Sequence, residues 1–153
     1  MAEEIKVIVF ALGNEEYGVN VDHVRSIERM QPLTRVPKTP LFVKGVINLR
    51  GVVIPVIDLR GRFGLEEKDY SDNSRIIIVA MNEMEVGLIV DSANDVIDID
   101  LDGIVDPPEV VGGIKSKYLQ GVAKINDNRL LILLNLQQVL RKDEIIQLEQ
   151  IER

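Results

Sequence analysis

Acidic residues at every second position form the most complete chemical motif in the chain. Asp98, Asp100 and Asp102 are followed by Gly103 and, six positions later, by Glu109. These residues fill every defined position of the calcium-loop pattern D-x-[DN]-x-[DN]-G-x5-E, in which oxygen atoms surround the ion. The segment 98–109 is therefore a candidate metal site, and the flanking sequence provides further evidence for or against it.

The flanking sequence argues against a calcium loop. Ile97 and Ile99 alternate with the acids, which is typical of a strand with one solvated face, whereas a calcium loop follows a helix. Pro107 and Pro108 also occupy the stretch where the returning chain would have to position Glu109. A calcium-binding module remains a minor alternative, and we expect neither a metal nor another cofactor.

Catalytic residues are difficult to assemble from this sequence. His23 is the single histidine and there is no cysteine, so a catalytic triad or a histidine-based metal cluster has one possible member. Fingerprints for serine hydrolases, zinc proteases and nucleotide binding are missing. Asp91 and Asp95 could be imagined as a hydrolase pair, but in a chain with 25 acids most carboxylates form solvated surfaces. We expect a protein that is not an enzyme.

Arg50 stands in a tight turn, Arg50-Gly51, between two strongly apolar segments. Its plain interpretation is a solvated arginine in a hairpin turn. Its functional interpretation is a guanidinium on a rigid turn, well placed for bidentate pairing with a carboxylate. We predict Glu109 as that partner, because Pro107 and Pro108 stiffen the chain that presents it.

The elements that carry these residues are predicted to be strands. Short Val- and Ile-rich runs, separated by Gly, Asn, Asp or Pro, indicate an all-β barrel or sandwich with few, short helices. The run 76–81 followed by 86–91 echoes 7–12 followed by 17–22, with Gly and Asp in matching places. This duplication predicts two small fused barrels. Apolar residues at helical spacing predict a terminal helix over 143–152.

Charge and hydropathy restrict the partners. The formal net charge of −7 argues against nucleic acid and against docking on anionic lipid, so we expect other proteins as partners. The longest apolar runs, 52–57 and 76–81, are six residues each, well short of the roughly 20 that cross a bilayer. The N-terminal residues lack the features of a signal peptide. We expect a cytoplasmic protein without membrane insertion.

The segment Lys44 to Arg60, KGVINLRGVVIPVIDLR, resembles the most characteristic stretch of the chemotaxis CheW family. Similar residues of that family match Glu15 to Val19, Val36-Pro37 and Tyr118 to Val122, so the resemblance covers nearly the whole chain. It implies an all-β fold of two fused five-stranded SH3-like β-barrels with short helices and a C-terminal helix. Approximate ranges for the two sub-barrels are 12–72 and 73–141, and the first strand, 5–12, is a candidate for pairing with the second lobe.

The resemblance also implies a function. CheW-like proteins are adaptors that couple methyl-accepting chemoreceptors to the histidine kinase CheA, and so would be recruited to receptor arrays at the inner face of the membrane. One lobe binds the regulatory domain of CheA, and a groove between the lobes binds the cytoplasmic tip of the receptor. The alternative within the family is an adaptor of another chemosensory pathway, such as one that controls pili.

Site residues follow from the same resemblance. Val24, Gly45, Arg50 and Gly51 correspond to family positions implicated in partner contacts. The family also has an arginine and a proline-flanked glutamate at the positions of Arg50 and Glu109, which supports the predicted inter-lobe ion pair. The calcium-like acids are not a family feature.

Overall fold

The computed structural model describes residues 3–37, 42–66, 68–81, 83–106, 110–111, 114–115, 118–126, 129–140, 144 and 147. Within these residues the chain forms short strands and two four-residue helices. The strands are β1 (Glu4–Leu12), β2 (Glu15–Asn20), β3 (Val24–Arg29), β4 (Val43–Leu49), β5 (Val52–Asp58), β6 (Arg75–Met81), β7 (Met84–Val90), β8 (Ser92–Asp100), β9 (Ile104–Val105), β10 (Val110–Val111), β11 (Ile114–Lys115), β12 (Leu119–Asn126) and β13 (Arg129–Leu134). The helices are α1 (Leu59–Arg62) and α2 (Leu136–Val139).

Two sheets contain nearly all of these strands. Sheet I has the order β3-β6-β7-β5-β4, sheet II has the order β8-β1-β2-β13-β12-β9, and β10 pairs with β11. Neighbouring strands are antiparallel except for β5–β7 and β13–β2, which are parallel. The expected all-β fold of two SH3-like lobes is confirmed. Sheet II differs from the expected five strands because the two-residue strand β9 adds to its edge.

The two halves of the chain exchange hairpins between the sheets. The β1–β2 hairpin lies in sheet II, and the β6–β7 hairpin lies in sheet I. The strand after each hairpin stays with the opposite sheet, since β3 pairs with β6 and β8 pairs with β1. The expected sub-barrel ranges 12–72 and 73–141 therefore do not coincide with the sheets. The repeated hydrophobic patterns indicate two copies in the sequence, but they do not determine which of the two sheets each hairpin joins.

Strands at the centre of each sheet are buried on both faces, which explains their continuous apolar runs. In β6, Ile77 and Val79 face the other sheet, whereas Ile76 and Ile78 face the interior of their own barrel. The larger cluster, here called the interlobe core, takes residues from both sheets. Its buried members are Ile8, Phe10, Leu12, Tyr17, Val19, Val43, Ile57, Leu59, Phe63, Ile77, Val79, Met81, Met84, Val86, Leu88, Val90, Leu119, Ile132, Leu134, Leu136, Val139 and Leu140.

Aromatic rings run in a row through the interlobe core. Ring centroids of Phe10 and Tyr17 are 5.5 Å apart, those of Tyr17 and Phe63 are 6.4 Å apart, and those of Phe63 and Tyr118 are 5.2 Å apart. Tyr17 is fully buried, and its hydroxyl has no hydrogen-bond partner among the described residues. Burial raises the pKa of Tyr17 to about 12. This row joins sheet II to the segment that follows α1, so the two lobes share one core.

Two glycines at matching places of the duplication allow close strand packing. Gly18 of β2 pairs with Leu133, and Gly87 of β7 pairs with Val56, both in parallel register. A Cβ on Gly87 would lie 2.7 Å from the Cγ2 of Ile76, which is closer than packed carbons approach. These glycines therefore belong to the packing of the fold. Among the described residues no helix is long and apolar enough to cross a membrane.

Candidate interaction site

The turn between β4 and β5 contains two of the predicted site residues, Arg50 and Gly51, and both are exposed. Leu49 pairs with Val52, which leaves Arg50 and Gly51 as a two-residue turn with φ angles of 54° and 85°. Two positive φ angles are typical of a type I′ turn, whose twist matches a β-hairpin. The backbone N–H of Gly51 also donates to Oδ1 of Asn48 at 2.9 Å. The turn is therefore locally well defined.

Arg50 is an unusual residue for this conformation. Left-handed backbone costs an L-residue roughly 1–2 kcal/mol, and type I′ turns favour Asn, Asp or Gly at this place. The turn itself does not need an arginine, so the exposed guanidinium is the feature that distinguishes this position. Val52 and Val53 lie beside it, with 53% and 39% of their surface exposed. We name residues 49–53 the hairpin tip, a cation flanked by exposed apolar side chains.

Gly45 allows the loop around Thr34 to pack closely against β4. It lies in β4, an edge strand of sheet I, and the next residue forms an isolated bridge with Thr34. The backbone hydrogen bonds between Thr34 and Val46 measure 3.0 and 2.8 Å. A Cβ on Gly45 would lie 2.7 Å from the carbonyl oxygen of Thr34. A side chain here would therefore push the loop away from the edge of β4.

Val24 occupies a different edge of the same sheet. It is the first residue of β3, is half-buried, and packs against the interlobe core. On the same strand Ile27 is 41% exposed. The structure thus brings Gly45, Arg50 and Gly51 together on one hairpin, whereas Val24 lies on the strand at the far side of the sheet order.

The predicted partner of Arg50 lies outside the described residues. Pro107, Pro108 and Glu109 belong to that stretch, so the Arg50–Glu109 ion pair stays a prediction. The predicted helix over 143–152 also falls largely outside the described residues, of which Glu144 and Gln147 are helical.

The calcium-like acids lie on and after β8. Asp98 and Asp100 are exposed while Ile99 between them is buried, the alternation expected of a strand. Oδ1 of Asp100 accepts from the backbone N–H of Asp102 at 2.9 Å, and Nζ of Lys6 lies 3.9 Å from Asp98. A strand, not a helix, leads into the motif. Among the described residues no cluster of three or more acids or histidines could hold a metal ion.

A recess of about 260 Å³ lies beside the start of α1. Its lining has mixed charges, from Lys44, Asp58, Lys68 and Asp69, together with Tyr70. Asp58 is buried and both of its oxygens accept hydrogen bonds, from the backbone N–H of Arg60 at 3.0 Å and from the hydroxyl of Tyr70 at 3.0 Å. This carboxylate therefore serves the fold, and the recess does not assign a cofactor.

Two arginines of the α1 segment make ion pairs that sequence reasoning missed. Arg60 donates to Asp91 through Nε at 2.8 Å and through NH2 at 2.5 Å. Asp91 also accepts from the backbone N–H of Gly13 at 2.7 Å, so it ties the β1–β2 turn to α1 and to the end of β7. The hydrogen bonds from Arg60 hold the pKa of Asp91 below its usual range. Arg62 pairs with Glu144, 82 positions away.

Comparison with known proteins reveals similarity in both sequence and fold. A family model described as the CheW-like domain matches residues 6–144. The chemotaxis protein CheW of Bacillus subtilis (strain 168) is 46% identical over 138 residues, which cover 90% of this chain and 88% of that protein. The chemotaxis protein CheW of Thermotoga maritima is 32% identical, over 92% of this chain and 90% of that protein. The crystal structure of the scaffolding protein TtCheW from Thermoanaerobacter tengcongensis superposes with a TM-score of 0.83 at 38% identity, covering 94% of this chain and 92% of that one.

Proposed function

Because the chain belongs to the CheW family of chemotaxis scaffolding proteins, we propose that it couples methyl-accepting chemoreceptors to the histidine kinase CheA and places the kinase under receptor control. It works as an adaptor without catalysis of its own, in the cytoplasm, at receptor arrays on the inner face of the membrane. The regulatory domain of CheA and the helical cytoplasmic tip of the receptor are its two partners.

The observation that carries this proposal is the hairpin tip. Arg50 has a left-handed backbone conformation, although the turn would be more stable with Asn or Gly at this position. Strain of this kind indicates a function for the side chain that is presented. Arginine is also one of the residues enriched at protein–protein interfaces, and here it is flanked by the exposed apolar side chains of Val52 and Val53. We assign Arg50, with Val52 and Val53, to direct contact with a partner.

Gly45, Gly51 and Val24 support the two edges of sheet I in different ways. Gly51 allows the turn to adopt its positive φ angles, and Gly45 allows the Thr34 loop to lie against β4. Val24 anchors the start of β3 in the interlobe core. In this proposal these three residues hold the edges of sheet I in the shape that a partner meets, while Arg50 makes the contact.

Reconstitution tests the proposal directly. Purified protein, CheA and membranes containing a chemoreceptor are mixed, and transfer of phosphate from ATP to the kinase is measured. We expect receptor-dependent stimulation only when all three components are present, and no ATP turnover by this chain alone. Stimulation that is the same with and without the chain would contradict the coupling function, and turnover by the purified chain would contradict the absence of catalysis.

A further inference from the structure

Two single turns of 3₁₀ helix have the same geometry but differ in their third residue. The β2–β3 turn contains Val21–His23, and the β8–β9 turn contains Leu101–Gly103. In each turn the side chain before the first residue accepts a hydrogen bond of 2.9 Å from the backbone N–H two positions later. Both turns lead into extended backbone, with φ angles of −96° and −90°. The central residues, Asp22 and Asp102, therefore have equivalent backbone settings.

Asp102 and Gly103, the last aspartate and the glycine of the calcium-like motif, are able to react with each other. Both are exposed, so water has access to them. The backbone nitrogen that follows an aspartate can attack its Cγ and close a five-membered succinimide ring. This attack needs an uncrowded nitrogen and a pliable backbone, and glycine, which has no Cβ, supplies both. In the other turn the same position holds His23, whose side chain hinders the attack.

The reaction needs water alone as its reagent. The nitrogen of Gly103 forms a bond to Cγ of Asp102, and the amide proton leaves together with the carboxyl hydroxyl as water. Water then adds to one of the two ring carbonyls. Addition at Cγ breaks the new bond and restores aspartate, whereas addition at the α-carbonyl breaks the original peptide bond and leaves Gly103 attached through Cγ. The product of this second route, isoaspartate, has the same mass and one more carbon atom in the backbone.

The strand after this turn is packed too closely to absorb an additional backbone atom. β9, Ile104–Val105, pairs with Val122 and Ala123 of β12. A Cβ on Gly121 would lie 2.5 Å from Cγ2 of Ile104 and 2.8 Å from the carbonyl oxygen of Val105. Only these two residue pairs hold β9 in the described part of sheet II. A longer backbone directly before β9 therefore shifts it off β12.

We propose that Asp102-Gly103 is a site of spontaneous isoaspartate formation in the folded protein, and that this modification releases β9 from β12 at the edge of sheet II. The turn must open before the nitrogen can reach Cγ. Because the turn has three residues and is exposed, it opens locally while the sheets stay folded. The inference does not rest on the proposed function.

Peptide mapping of the full chain after incubation at 37 °C and pH 7 tests the first half of the proposal. Mass spectrometry with backbone fragmentation distinguishes isoaspartate from aspartate, which have equal masses. We expect isoaspartate to accumulate at position 102 about tenfold faster than at position 22, because glycine follows the first and histidine the second.

Two variants exchange the properties of the turns. Gly103→Ala should stop isoaspartate formation at position 102 without changing the fold, because a Cβ at Gly103 meets no atom within 4 Å and its φ is not positive. His23→Gly should make Asp22 react at a rate similar to that of Asp102. Amide hydrogen exchange tests the second half: it should accelerate in β9 of the incubated wild type, remain unchanged in β6 and β7, and remain unchanged throughout incubated Gly103→Ala.

Three results would overturn the proposal. The first is equal isoaspartate at positions 22 and 102, or none at 102. The second is isoaspartate that forms at 102 only when urea unfolds the chain, because the folded turn would then protect the site. The third is unchanged exchange in β9 of the isomerised protein, which would show that the strand absorbs the additional atom. If His23→Gly does not fold, Gly103→Ala and the wild type give the same outcomes.

Discussion

The hairpin tip and the interlobe core place similar apolar residues in opposite environments. At the tip, Val52 and Val53 are exposed beside an arginine in a strained backbone conformation. In the interlobe core, valines and isoleucines from both sheets are fully buried around a row of aromatic rings. Apolar composition alone therefore does not separate the surface that we propose for binding from the residues that hold the fold together. The position of a valine along its strand determines whether it is buried. Val52 and Val53 are exposed because they lie beyond Ile47 and Ile54, the last buried pair of β4 and β5 before the turn.

The comparison implies that substitutions in the two regions have different consequences. Changes in the interlobe core should lower the free energy of unfolding and affect binding only through lost folded protein. Changes at the hairpin tip should affect binding while stability stays the same or rises. The following predictions test that separation, beginning with the largest expected effect on stability.

Leu88→Ala should be the most destabilising of these changes. Leu88 is fully buried in the interlobe core. Its truncation removes apolar contacts and leaves a cavity, which lowers the free energy of unfolding by about 2–5 kcal/mol. Urea denaturation measures the difference, and Val52→Ala, at the exposed tip, serves as the control with a change near zero. A loss for Leu88→Ala no larger than that of the control would show that the two sheets are not held by this core.

Asp91→Asn should destabilise the protein in a pH-dependent way. The pair with Arg60 lowers the pKa of Asp91 in the folded state. The stabilisation from this pair is therefore fully present at pH values above the pKa that Asp91 has in the unfolded chain, and it is lost as the pH falls through the pKa of the folded state. Near neutral pH the loss should be about 1.5–3 kcal/mol, as for hydrogen bonds to charged groups. Urea titrations at pH 7 and pH 3 should show the gap between wild type and variant shrinking in acid. A gap that stays constant would mean that the charge of Asp91 is not responsible.

Gly87→Ala should destabilise more than Gly18→Ala, although the two glycines occupy matching places. The added Cβ at Gly87 meets the Cγ2 atoms of Ile76 and Val56 at 2.7 and 3.1 Å, and β-branched side chains have little freedom to move. At Gly18 it meets the flexible end of Leu131 at 3.0 Å. We expect a loss of about 1–3 kcal/mol for Gly87→Ala and less for Gly18→Ala. Thermal unfolding of both variants measures these losses of stability. A larger loss for Gly18→Ala than for Gly87→Ala would contradict the packing described for sheet I.

Sequence reasoning could reach the class of fold because local patterns determine it. Apolar runs, turn residues and the repeat predicted an all-β duplication with few, short helices. The apolar pattern alone could not predict the exchange of hairpins, since β1 and β6 have nearly the same pattern. Only the family resemblance suggested that the first strand pairs with the second lobe, and β1 does lie in sheet II beside β8. The pairs of Arg60 with Asp91 and of Arg62 with Glu144 were also beyond reach, because only the folded chain brings these residues together.

The candidate site was predictable only in part. The Arg50-Gly51 turn is a local feature, so its place at a hairpin tip followed from the two apolar runs that flank it. The left-handed conformation of Arg50 and the exposure of Val52 and Val53 depend on how β4 and β5 lie in sheet I. Gly45 gave no signal of its own, since its role depends on a loop that contacts it from more than ten positions away.

The most direct test is Arg50→Asn, with stability and kinase coupling measured on the same preparation. Asn-Gly is a preferred pair for a type I′ turn, so the melting temperature should be unchanged or higher. Receptor-dependent stimulation of CheA should fall strongly, whereas Lys124→Ala, which removes one exposed positive charge from sheet II, should leave it intact. Full stimulation by a stable Arg50→Asn protein would contradict the assignment of the hairpin tip as the partner-binding surface.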